Sequence, residues 1–233
     1  MKNIKSLITL SLVPVLLTGC SSAKKISEEE FKELHEQTVL YLSDVNNVPA
    51  NIHIANKNST TKYDYKEGEF YSYYNFALLV LVPLTGGTYT WKEDGKYYHA
   101  VKDMFKSEKS YKKEITEEEF NDYMASHKQK ILEELNVPLL TATNLLNGSE
   151  LYENVQNTYY SVGKTGWKLS SKAEYLSDNH KEYSYTIQFK DNLPVKYTSK
   201  VSSEKSSETV WKYTLGKAKL SVPSFETTSE SQA

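Results

Sequence analysis

"KYDYKEGEFYSYYNFALLVLVPLTGGTYTWKEDGKYYHA", residues 62–100, decides the fold class. Its flanks alternate tyrosine and other β-favouring side chains with polar ones, the pattern of a strand with one dry and one wet face. The alternation breaks at Glu67-Gly68 and again at Asp94-Gly95, the stronger of two hairpin signals. Between the flanks lies one apolar run, "NFALLVLVPLTGG" (75–87), in which every residue from Phe76 to Leu84 is apolar. A strand of that composition needs cover on both faces. The run reads as a central core strand or a short buried helix closed by Pro83 and Gly86-Gly87. The other reading is a wall against which a ligand, a membrane surface or a partner lies, with Phe76, Leu79, Val80 and Leu81 as candidate ligand contacts.

The pattern continues downstream. "TYYSV", "GWKLSSKA", "EYSYTIQF", "LPVKYTSKV", "TVWKYTL" and "KAKLSV" read as a meander, and in "EYSYTIQF" Tyr183, Tyr185, Ile187 and Phe189 face one way. Two helices interrupt the strands. "SEEEFKELHEQTVLYLSDV" opens with Ser27 and Glu30 in capping-box spacing, and "TEEEFNDYMASHKQKILEEL" repeats the device with Thr116 and Glu119. Phe31, Leu34, Thr38, Tyr41, Leu42 and Val45 form one apolar stripe; Phe120, Tyr123, Met124, His127, Ile131 and Leu135 form the other. Asn47-Val48-Pro49 and Asn136-Val137-Pro138 follow as expected stops, and "PLLTATNLL" reads as a third, shorter helix ended by Asn147-Gly148. The fold class is α+β, one domain over 27–223. The repeated motifs allow a duplication with halves 27–115 and 116–223.

The N-terminus has the plan of a secretion signal. A short basic region precedes the apolar "SLITLSLVPVLL", too short to span a bilayer as a mature helix, and Leu17-Thr18-Gly19-Cys20 resembles the lipobox of bacterial lipoproteins. The resemblance implies cleavage after residue 19 and acylation of Cys20, the sole cysteine of the chain. Two or three acyl chains give stable anchoring. The expected mature protein is therefore held at the extracytoplasmic face of a membrane, on a tether of residues 20–26, with a polar tail at 224–233. Removing Lys2 and Lys5 with the signal leaves 26 lysines against 30 acids, a net charge of about −4. The basic residues are all lysine, without the planar fork that favours bidentate phosphate and guanine contacts, so nucleic acid is not an expected partner.

Catalytic signals are weak. "HEQTV" at His35 begins like a zinc-protease helix, but Val39 stands where the second histidine is required, and His35 reads as a solvated helix residue. His53, His99, His127 and His180 have no ligand spacing, so neither a metal nor a cofactor is expected. The carboxylate triplets at 28–30 and 117–119 are explained by the positive helix ends. The hairpin "YTWKEDGKYYH" and the closing run from "YTIQFKDNLPVKYTSK" to "LGKAKLSVP" resemble the LolA/LppX-like superfamily of lipid-handling lipoproteins. That resemblance implies a strongly bent antiparallel sheet, a half-barrel wrapped on a few helices, with an apolar cavity for acyl chains. The expected function is noncatalytic binding of an apolar or amphiphilic ligand by a membrane-anchored lipoprotein. The alternative is a protein-interaction module of two tandem helix-plus-sheet halves.

Overall fold

The computed structural model describes residues 23–78, 82–202, 207–223 and 225, without the side chains of 76–78 and 82–84. The chain forms β1 (Lys24–Lys25), α1 (Glu28–Leu42), β2 (Asn51–Ala55), β3 (Ser59–Asp64), β4 (Glu69–Leu78), β5 (Val82–Glu93), β6 (Lys96–Lys102) and β7 (Tyr111–Ile115). Then follow α2 (Glu117–Asn147), β8 (Tyr152–Val162), β9 (Gly166–Tyr175), β10 (Lys181–Lys190), β11 (Leu193–Val201) and β12 (Glu208–Leu215). The strands make one open antiparallel sheet in the order β1-β8-β9-β10-β11-β12-β2-β3-β4-β5-β6-β7, with both helices on one face.

The two helices explain this order. Tyr97 of β6 packs on Phe120, Phe70 of β4 stacks on His127 at 3.5 Å, and Thr61 of β3 bonds Glu134. Further along α2, Thr141 meets Tyr197 of β11, and the Leu145 carbonyl accepts from Asn157 of β8. Thus α2 touches the strands in their spatial order, carrying the chain from the β7 edge across to β8. Nine strand spacings from β6 to β8 are about 43 Å, and a helix of 31 residues is about 46 Å long. Helix α1 runs back beside it: Phe31 packs on Tyr159 and Trp167 near one edge, His35 Nε2 lies 3.1 Å from Thr143 Oγ1, and Asn46 meets Lys128. Its end delivers β2 to the middle of the sheet, where β2 pairs with β12 and joins the two meanders.

Both capping boxes form, from Ser27 with Glu30 and from Thr116 with Glu119. The matched Asn-Val-Pro tripeptides diverge. Residues 47 and 48 end a short 3-10 turn after α1, whereas Pro138 lies buried inside α2. The expected stop and third helix are therefore one continuous helix. Proline leaves the Glu134 carbonyl without its helical donor, but Ile131, Leu135, Leu139, Ala142 and Leu145 keep one stripe buried through that point.

Three further expectations are corrected. His35 is buried, only 6% exposed, because it stands one turn after Phe31 on the face that meets Trp167. The apolar run is a hairpin, not one strand or a helix. Phe76, Ala77 and Leu78 pair with Leu84, Pro83 and Val82, so the chain reverses between Leu78 and Val82. "KAKLSV" adds no strand; it crosses the outer face of the sheet, where Leu220, Val222 and Phe225 pack with Tyr89, Trp91 and Ala100. At the other end of the domain, Lys24 and Lys25 pair with Ser161 and Tyr160.

Candidate binding site

Helix α2 divides the inner face of the sheet. On the side of α1 the face is filled by Phe31, Trp167, Phe189 and Leu42, all 0 to 1% exposed. On the other side no described helix covers it. Along β4, Phe70 lies under His127 and Ser72 meets Lys130 at 3.4 Å, while Tyr74, the next residue of that face, is 49% exposed. Along β10, burial likewise falls from Ile187 through Tyr185 to half-buried Tyr183.

The uncovered strip is aromatic. Tyr152 stands opposite Tyr175, and Tyr183 and Tyr185 follow on β10. Ring centroids in this group lie 5.4 to 5.9 Å apart. Tyr197 stands opposite half-buried Trp211, and Ser199 is next on its strand. The flank of α2 above the strip carries Lys130, Glu134 and Val137; the last is 45% exposed.

Electrostatically the strip is neutral. Tyr183 donates to Asp178 at 2.7 Å, which together with burial pushes its pKa up to about 12. Burial raises Tyr152, Tyr185 and Tyr197. Phenols held protonated can stack on a ligand and donate hydrogen bonds, but they neither carry charge nor abstract a proton near neutral pH. Glu134 is also raised, chiefly by burial: Oε1 accepts from Thr61 at 3.0 Å, and Oε2 is buried without a partner.

Beneath the N-terminal half of α2 lies a second polar group. Thr90 Oγ1 stands within hydrogen-bond distance of two rings, 3.0 Å from His99 Nδ1 and 2.9 Å from His127 Nε2. His99 stacks on Tyr123 and His127 on Phe70. Burial depresses His99 to about 4 and His127 to about 3, so both are neutral packing groups. At the surface, Glu153, Glu174 and His180 place one ligand atom each within 4.8 Å of the others. They are exposed or half-buried, and no role is assigned to them.

Of the residues singled out in the sequence, Phe76 lies in β4 with its side chain outside the described residues; Leu79, Val80, Leu81 and Cys20 are themselves outside them. The arms of their hairpin reach past both neighbours, since β3 pairs with β4 only as far as Tyr74 and β6 with β5 only as far as Gly87. This extension leaves the sheet at the end where Tyr74 is exposed, the same side of α2 as the tyrosine strip. Sequence reasoning missed the strip as a site, although the alternation in "EYSYTIQF" marked Tyr183 and Tyr185 of it. Among the described residues no helix is long and apolar enough to cross a membrane. No family model matches the chain, and no curated protein or solved structure matches it either.

Proposed function

We propose that this chain is a noncatalytic lipoprotein, anchored at the extracytoplasmic face of a membrane through Cys20, that binds an amphiphilic ligand in a trough between α2 and the tyrosine strip. The observation that carries this reading is the strip itself. Six half-buried or buried aromatic side chains, Tyr152, Tyr175, Tyr183, Tyr185, Tyr197 and Trp211, lie beside a helix flank that exposes Val137. Concave, largely apolar surfaces with a few convergent polar groups are the usual form of a small-molecule site. Phenol hydroxyls, Ser199 and Thr141 supply the polar groups, and the paired arms 75–78 and 82–86 prolong the sheet on the same side. In this reading the open sheet curves about the helices to make the trough.

Organic extraction of the purified protein followed by mass spectrometry tests the proposal. A stoichiometric amphiphile in the extract is expected, together with quenching of tryptophan emission when the ligand-stripped protein is titrated with an acyl probe. A clean extract and unchanged emission at saturating probe count against it.

A further inference from the structure

The outer face carries a different site. Tyr89 and Trp91 of β5 turn away from the helices, and with Ala100, Tyr71 and Tyr98 they make an aromatic floor. Residues 217–223 and 225 lie on it without joining the sheet. Their backbone is held by side chains: the Ala218 N–H donates to Asn51 Oδ1 at 2.8 Å, and the Leu220 N–H donates to Glu69 Oε2 at 3.2 Å. Ala218 is buried, Leu220 and Val222 pack on the floor at alternate positions, and Phe225 meets Tyr89 edge to face at 5.7 Å. Side chains that grip alternate N–H groups, above a floor that takes alternate apolar residues, are the elements with which proteins read an extended peptide. The floor is also larger than its cover. A groove of about 680 Å³ stays open between this segment and Glu69, Trp91, Glu93 and Lys112. Lys112 Nζ lies there 5.1 Å from the Trp91 ring and 4.3 Å from the Tyr98 ring.

We infer that the outer face of β2 to β6 is a docking groove for an extended peptide, occupied in cis by residues 217–223 and 225, and that a partner segment of the same pattern competes for it. The partner carries apolar residues at alternate positions, as in Leu220-Ser221-Val222. A cis occupant lowers the apparent affinity of a competitor by the fraction of time the groove is open.

The test uses the full chain and a fluorescein-labelled peptide of residues 217–226, KAKLSVPSFE, followed by anisotropy. Leu220→Asp loosens the cis segment and leaves the floor intact; it is expected to bind the peptide at least about tenfold more tightly than wild type. Leu220→Ala, a milder change, is expected to fall between the two and covers the case in which the aspartate variant does not fold. A scrambled peptide is expected not to bind. Equal affinity in wild type and a folded variant, or equal binding of the scrambled peptide, overturns the inference and leaves the segment as a fixed part of the core.

Discussion

His127 and His99 show what single residues do in this protein. Each is depressed by burial, and each has a lysine nearby, Lys130 and Lys113, that disfavours charge further. A histidine whose folded pKa lies below its unfolded value contributes stability that is complete above about 6.5 and is lost as pH falls toward the folded pKa. Stability is therefore expected to decline from about pH 6.5 down to about pH 4 through both histidines, and on to about pH 3 through His127, by up to about 1.4 kcal/mol per pH unit for each. Urea melts at several pH values check this, and His127→Gln is expected to flatten the slope. A slope unchanged by that substitution would place the titration elsewhere. His35 shows why burial of such residues escaped the sequence: its neighbours Glu36 and Gln37 read as solvated, and only the packing of α1 on Trp167 makes that face interior. Cys20 is the opposite case, a proposed role that rests on four consecutive letters. Cys20→Ser is expected to abolish labelling by a fatty-acid analogue and to move the protein out of the washed membrane fraction or leave it unprocessed. Label retained in the variant contradicts the anchor.

At the scale of elements, the helix starts were legible because a cap is a local device: a hydroxyl, three residues and a carboxylate suffice. Thr116→Ala is expected to lower stability by about 0.5 to 2 kcal/mol in a thermal or urea melt, with ligand binding unchanged in the folded fraction. The helix stop was not legible. Pro138 follows a sequence that elsewhere leaves helix, and only the need to carry the chain across the sheet keeps α2 intact. A proline inside a helix costs about 3 kcal/mol, and substitution also removes some of its buried surface. Pro138→Ala is accordingly expected to stabilise the protein by about 1 kcal/mol, measured by urea denaturation; a clear loss would mean that the proline's own packing outweighs the restored hydrogen bond. The apolar run gave no warning of its reversal, because residues 78–82 lack the glycine, asparagine or aspartate that marked the turns at Gly68 and at Asp94-Gly95. Those turns did form, with φ of +68° at Gly68 and of +50° and +78° at Asp94 and Gly95.

At the scale of the whole molecule, local patterning gave two meanders and both helix starts but could not say how they join. The contact that joins the two meanders, β12 with β2, links residues about 160 apart, and nothing local specifies it. The tyrosine strip is a product of that arrangement. Its residues were legible as strands, but their incomplete cover follows only from where α2 crosses. The most direct measurement of the central claim is a titration of an acyl probe into wild type and Ser199→Trp, with thermal melts of both. Ser199 is half-buried beside Tyr197 on the uncovered side of α2, so an indole there fills the trough and removes no core side chain. The account predicts probe binding by wild type, its loss by at least about tenfold in Ser199→Trp, and melting temperatures within a few degrees of each other. Equal probe binding by both proteins, with Ser199→Trp fully folded, would contradict it.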